Sequence, residues 1–111
     1  MILKSIHECE VQQTDFADRW SKNLVGTDQI PTTNGFNLGV AEYHATDFSQ
    51  VQVHDDQEAL YIVSGEGEIK LDDEVLPLKP GTAVYVGPGV SHSTRRTGDA
   101  PVKVIYTHGA V

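Results

Sequence analysis

The chain has 111 residues, and 8 lysines and arginines stand against 16 aspartates and glutamates, a net charge of −8. That length suits one domain, which buries roughly two-thirds of its unfolded surface. The acidic balance argues against nucleic acid and anionic membranes as partners, because both need a basic surface, and no apolar run approaches the roughly 18 residues of a membrane-spanning helix.

The N-terminal third, residues 1–35, shows little strand pattern. Thr14 and the acidic residues after it favour a short helix over 14–20, capped by Thr14. We therefore predict that residues 1–35 form an arm that packs on the rest of the domain or on a second copy. The first ten residues lack the apolar stretch of a signal peptide, and a single cysteine, Cys9, leaves no intrachain disulfide. We expect a cytoplasmic protein.

From residue 36 to 111 the pattern changes to short runs rich in Val, Ile, Tyr and Thr, separated by Gly, Pro, Asp and Ser. The predicted strands cover 36–44, 48–54, 58–64, 66–71, 75–78, 82–86 and 101–107. Gly65–Gly67 and Asp72–Asp73 have the composition of hairpin turns. Short strands at this spacing predict one all-β sandwich or barrel.

Four polar residues in this β region stand out as possible ligands: Gln52, His54, Glu58 and His92. Side chains alternate along a strand, so the three even-numbered residues 52, 54 and 58 share one face unless a turn intervenes. Two imidazoles and a carboxylate are donors that a divalent transition metal prefers. The pattern indicates a metal site at the mouth of the barrel; the alternative is a set of ordinary polar residues without a metal.

The spacing of these residues resembles the two motifs of a small single-domain cupin. The family's first motif, G-x5-H-x-H-x3-4-E-x6-G, matches at His54, Glu58 and Gly65; the second, G-x5-P-x-G-x2-H-x3-N, matches at Gly81, Gly89 and His92. The chain departs from the motifs at Thr46, Gln52, Gly87 and Arg96. The resemblance implies a double-stranded β-helix, or jelly-roll barrel, with a short N-terminal arm or helix.

The resemblance also implies a metal site in which His54, Glu58 and His92 hold Fe, Mn, Ni or Zn. Gln52 replaces the family's first histidine. Its carbonyl oxygen is a harder and weaker donor than imidazole, so Gln52 either completes the ligand set or hydrogen-bonds beside it.

Four further residues are candidates for catalysis or substrate binding. Tyr106 and His108 share one strand face and could move a proton. Arg96 could bind a carboxylate or phosphate, and Tyr43 could line the cavity. For each of the four, packing or a surface salt bridge is the alternative.

We expect a metal-dependent enzyme of the dioxygenase, isomerase or lyase type that acts on a small polar or anionic metabolite. The alternative is a non-catalytic module that binds or senses a small ligand. A small jelly roll has exposed sheet edges, so we also expect a homodimer in which strands or N-terminal arms extend the partner's sheet.

Overall fold

The computed structural model describes residues 2–48 and 50–111, and these residues form two antiparallel sheets. The larger sheet has the strand order β1-β2-β3-β9-β4-β7 and the smaller has the order β6-β5-β8. The predicted all-β class is confirmed. The strands are β1 (Thr14–Asp15), β2 (Arg19–Val25), β3 (Asn37–Tyr43), β4 (Gln57–Ser64), β5 (Gly67–Leu71), β6 (Glu74–Leu78), β7 (Ala83–Val86), β8 (His92–Arg96) and β9 (Val102–Gly109).

The core lies between the inner faces of the two sheets. Along β4, Leu60 and Ile62 are buried while Tyr61 is half exposed, which is the alternation that a strand with one buried face requires. Ile69 and Leu78 of the smaller sheet complete the same cluster. Burial of each such side chain stabilises the fold by about 1.5–3 kcal/mol. The core therefore holds the two sheets together.

The N-terminal third differs from the prediction. The helix over 14–20 is wrong, because β1 and the start of β2 lie there. The helical segment that the described residues do contain is a 3₁₀ turn at Glu8–Glu10. Strand β2 pairs with β3 of the same chain, so residues 19–25 form part of the barrel wall rather than a separate arm. The homodimer stays a prediction.

Two strand assignments also differ. In the predicted strand over 48–54, Ser49 lies outside the described residues. The other residues of that segment form one isolated bridge, between Gln52 and His92, instead of a strand. Strand β8 was not predicted from the sequence, since its residues are mostly polar and charged. The other six predicted runs correspond to β3, β4, β5, β6, β7 and β9.

Of the two predicted hairpins, one is confirmed. Asp72 and Asp73 join β5 to β6, with Leu71 paired to Glu74 and Asp72 at a φ of 50°. The hairpin at Gly65–Gly67 is wrong, because β4 and β5 lie in different sheets. The chain crosses between the sheets there.

Across residues 2–48 and 50–111, no helix is long and apolar enough to cross a membrane. The cytoplasmic location stays a prediction.

Replacing Gly65 by alanine should destabilise the protein more than the same change at Gly81. Both glycines have a positive φ, 82° and 92°, which costs an alanine roughly 1–2 kcal/mol. A Cβ at Gly65 would also collide with the backbone of Pro101, whereas nothing lies within 4 Å of one at Gly81. We expect Gly65→Ala to lower the free energy of unfolding by about 1–3 kcal/mol more than Gly81→Ala. Urea titration followed by circular dichroism measures both; equal losses would contradict this account.

Candidate metal centre

Three histidines converge on one buried carboxylate at one end of the barrel. The Nε2 atoms of His54 and His92 lie 3.1 Å and 3.4 Å from Oε1 of Glu58, and Nε2 of His108 lies 3.3 Å from its Oε2. The ligand atoms of His54, Glu58 and His108 all lie within 4.8 Å of one another. His54, Glu58 and His108 are therefore close enough together to share one ion, and His92 contacts the same carboxylate beside them.

Two of these residues are placed by the register of the larger sheet. Glu58 on β4 pairs directly with His108 on β9. Cross-strand partners carry their side chains on the same face, so the Glu58–His108 contact follows from this register. The same strand β9 contributes Tyr106, which lies two residues earlier and on the same face.

The other two histidines are placed by contacts between a loop and β8. The backbone groups of Gln52 and His92 exchange two hydrogen bonds, each 2.9 Å long. The amide of Gly89 donates to the carbonyl of His54 at 2.9 Å. A bend at residues 55–56 interrupts the strand alternation assumed from the sequence, and His54 still reaches Glu58. The turn around Gly89 and the bridge at Gln52 therefore hold the loop against the barrel.

Each of the three imidazoles has an oxygen beside its Nδ1 atom. His108 Nδ1 lies 2.9 Å from Oδ2 of Asp56, and His92 Nδ1 lies 3.1 Å from the carbonyl of Val90. His54 Nδ1 lies 2.5 Å from Oδ1 of Asp56, a close contact that is not aligned as a hydrogen bond. In the neutral imidazoles of His92 and His108, an acceptor at Nδ1 holds the proton there and leaves the Nε2 lone pair for a cation.

The charges of the cluster are strongly coupled. Burial acts to raise the pKa of Glu58, but hydrogen bonds and positive charge from His108 and His92 outweigh it and lower that pKa to about 2. Burial opposes the charged form of His92, yet its bond to Glu58 leaves its pKa raised. The bond to Glu58 also raises the pKa of His108. The site is therefore arranged to keep Glu58 ionised next to positive charge.

A cavity of about 170 Å³ adjoins this cluster inside the barrel. Burial raises the pKa of Tyr43 to about 12 and also raises the pKa of Tyr106, so both hydroxyls keep their protons at neutral pH. A larger cavity, about 690 Å³, lies beside Glu68 and Arg95 and contains none of the clustered histidines. The lining residues of the inner cavity are Arg19, Ser21, Ala41, Tyr43, Gln52, Glu58, Tyr106 and His108.

The structure brings together the three residues that the motifs suggested as ligands, His54, Glu58 and His92. It adds to them His108, which the sequence suggested as a proton carrier. Tyr43 and Tyr106 line the cavity, as their strand positions allowed. Gln52 lines the same cavity, together with Tyr43.

Arg96 is not brought to the cluster. It lies four residues beyond His92 along β8, and its guanidinium donates to the carbonyls of His44, Gly98 and Asp99. The arginine in the cavity wall is Arg19, which the sequence reasoning missed because it did not recognise β2 as a strand.

Residues 39–108, more than half of the chain, match the family model described as the cupin domain. The chain therefore belongs to the cupin family, and the resemblance seen in its motifs is confirmed.

Two curated proteins match the chain. Protein SchB of Streptomyces halstedii is 31% identical over 78 residues, which are 69% of this chain and 56% of SchB. An uncharacterized protein of Methanocaldococcus jannaschii is 33% identical over 49 residues, 44% of this chain and 39% of that protein. The chain thus spans about half or less of the length of the curated relatives it matches.

Solved structures share the fold at low sequence identity. A predicted oxalate decarboxylase from Thermotoga maritima has a TM-score of 0.82 at 16% identity, covering 96% of this chain and 98% of that one. The polyketide cyclase RemF from Streptomyces resistomycificus has a TM-score of 0.79 at 15% identity, covering 99% and 81%. Fe(II) HppE has a TM-score of 0.80 at 18% identity, covering 96% and 60%. These likenesses confirm the jelly-roll fold.

The contribution of Glu58 to the stability of the metal-free protein should decrease at low pH and also at high pH. The lowered pKa of Glu58 stabilises the fold above its ordinary value of 4.5, and this stabilisation is lost as the pH falls toward 2. The raised pKa values of His92 and His108 stabilise below 6.5, and that part is lost as the pH rises through the folded values.

We therefore expect the difference in unfolding free energy between the wild type and Glu58→Gln to be largest between pH 4.5 and 6.5. Urea titrations of both proteins in a chelating buffer, over a pH series, measure this difference. A difference that does not change with pH would show that the cluster is not coupled as described.

Proposed function

We propose that the cluster of His54, Glu58, His92 and His108 holds one divalent transition metal ion, and that the protein is a metal-dependent enzyme acting on a small polar or anionic molecule. One observation carries this proposal. Three Nε2 atoms lie 3.1–3.4 Å from a single carboxylate, and each imidazole has an oxygen beside its Nδ1. A neutral imidazole with an acceptor at Nδ1 keeps its Nε2 lone pair for a metal ion, and the shared contacts with Glu58 bring the three Nε2 atoms together.

The ligand set differs from the one that the motifs imply. Gln52 stands where the family has a histidine, and an amide oxygen is a weaker donor to these metals than an imidazole. His108 comes from β9, outside both motifs, and contacts the same carboxylate. We propose that His108 supplies the fourth donor in place of Gln52. Three imidazoles and one carboxylate suit Fe, Mn, Ni or Zn.

The cavity residues indicate what the site does to a bound molecule. The ion, when bound, polarises a carbonyl or enol oxygen. The hydroxyls of Tyr43 and Tyr106 keep their protons and donate hydrogen bonds to an oxygen on which negative charge develops. Tyr106 lies two residues from His108 on the same strand face and is the better placed to transfer a proton at that oxygen. This chemistry supports an isomerase or lyase.

A dioxygenase is the second candidate. The fold likeness to Fe(II) HppE, whose crystal contains iron, supports it. The two candidates require different metals, because only a redox-active ion such as iron activates O₂. The identity of the bound metal therefore separates them.

Removing the imidazole of His108 should weaken metal binding far more than removing the amide of Gln52. We expect His108→Ala to lower metal affinity by more than the roughly 10–100-fold that loss of an outer partner costs, and Gln52→Ala to lower it by less than that. Elemental analysis of tag-free protein and titration with Mn(II) or Ni(II) measure the loss. His44→Ala is the matched control, because His44 is exposed and contacts its neighbours through backbone atoms.

Each outcome of this comparison is informative. Loss of the metal in His108→Ala but not in His44→Ala supports the proposed ligand set. Loss in Gln52→Ala with retention in His108→Ala would restore the ligand set implied by the motifs. Less than about a tenth of an equivalent of any metal in the wild type, even after reconstitution, would favour a non-catalytic binding module, since a working metal site stays occupied under these conditions.

Replacing Asp56 by asparagine should weaken metal binding without removing a ligand. Asp56 contacts Nδ1 of both His54 and His108, so Asp56→Asn loosens two imidazoles at once. We expect metal affinity to fall roughly 10–100-fold. Asp55→Asn is the matched control, because Asp55 is exposed and directly adjacent. Calorimetric titration with Ni(II) compares the two variants; equal affinities would show that Asp56 does not position the histidines.

A further inference from the structure

Arg19 lies in the wall of the cavity that adjoins the histidine cluster. It is the first residue of β2 and pairs with Tyr43 on β3. Arg19, Glu58 and His108 line the same cavity of about 170 Å³. The side chain is only 12% exposed. The wall of the cavity therefore contains two of the proposed metal ligands together with Arg19.

The guanidinium is held in place by three neighbours. Its Nη1 atom lies 2.8 Å from Oδ1 of Asp18, which is fully buried. Its central carbon lies 4.1 Å from the ring centre of Phe16 and 5.8 Å from that of Tyr43. Contacts of this kind fix a long side chain before a ligand arrives. Arg19 therefore loses little side-chain conformational entropy when it binds a ligand.

Most donors of Arg19 remain available. Within the described part of the chain, Nη1 donates to Asp18, and Nε and Nη2 make no hydrogen bond. A guanidinium carries five N–H donors in a planar fork that matches the two oxygens of a carboxylate. The ion pair with Asp18 neutralises part of the charge. A single carboxylate is therefore a better match than a doubly charged phosphate.

The rest of the cavity restricts the ligand further. Tyr43 lies in the same wall, with its ring centre 5.8 Å from the central carbon of Arg19. The remaining wall is neutral and mostly polar, with Ser21, Gln52 and Tyr106 beside Ala41. A cavity of about 150 Å³ holds a molecule the size of benzene, so one of 170 Å³ accommodates a ligand of roughly six heavy atoms.

We propose that Arg19 binds the carboxylate of a small keto or hydroxy acid. The keto or hydroxyl oxygen of the same molecule then reaches the cluster of His54, Glu58, His92 and His108. The contact between the ligand and the histidine cluster rests on the proposed function. The carboxylate contact at Arg19 depends on the chain alone, so the two are tested separately.

The test compares binding of pyruvate, glycolate and 2-oxobutanoate with that of the neutral pyruvamide, by calorimetry on the full chain, with and without Mn(II). The metal content of every sample is measured first. We expect at least one acid to bind the wild type roughly 10-fold more tightly than pyruvamide, and Arg19→Gln to lose roughly 10–100-fold of that affinity. Arg96→Gln is the matched control, since Arg96 lies outside the cavity, and it should bind as the wild type does.

Two further variants guard against misfolding, because Arg19→Gln leaves the buried Asp18 without its cation. Arg19→Lys keeps the charge but not the planar fork, and we expect intermediate affinity. The double variant Asp18→Asn with Arg19→Gln removes both charges and should bind no better than Arg19→Gln alone.

The outcomes separate the two proposals. Loss of acid binding in folded Arg19 variants supports the inference. The same loss in metal-free samples supports it as well, even if the wild type takes up no metal. Unchanged acid binding in metal-loaded Arg19→Gln overturns the inference and leaves the metal site standing. Equal loss in Arg96→Gln, or no binding of any of the acids by the wild type up to about 10 mM, also overturns it.

Discussion

The site depends on the burial of one carboxylate. Glu58 is 8% exposed, and a buried carboxylate costs several kcal/mol unless it is paired and hydrogen-bonded. His54, His92 and His108 supply that pairing from a loop and two other strands. Their arrangement therefore stabilises the negative charge of Glu58. The same arrangement brings together several Nε2 atoms that can act as ligands of a cation.

The fold meets this requirement by joining elements that are distant in sequence. The register of β4 with β9 sets Glu58 beside His108. The bridge between Gln52 and His92 ties the loop to the smaller sheet, and β8 lies next to β5 in that sheet. A jelly roll brings both sheets together around one interior, so a ligand set can draw on each of them. The apolar core beneath, with Ile62 and Ile69, keeps the sheets in that relation.

The cavity beside the cluster explains why the N-terminal third matters to the site. Strand β2 closes one side of the cavity with Arg19 and Ser21, and β3 contributes Tyr43. The inner face of β2 is polar because it faces this cavity rather than the apolar core. That polarity accounts for the absence of an apolar alternation in its sequence, which is the signal by which a strand is usually recognised.

The sequence alone determined the all-β class and three of the clustered residues, because strand alternation and motif spacing are local properties of the chain. His54, Glu58 and His92 stand at intervals that the family's motifs define. Only the tertiary structure decided that His108 joins them, since the register between β4 and β9 depends on pairing across the whole chain. It also decided which arginine reaches the cavity. Arg96 and Arg19 both lie on strands, but Arg96 donates to loop carbonyls at the far end of β8, whereas Arg19 lies beside the cavity.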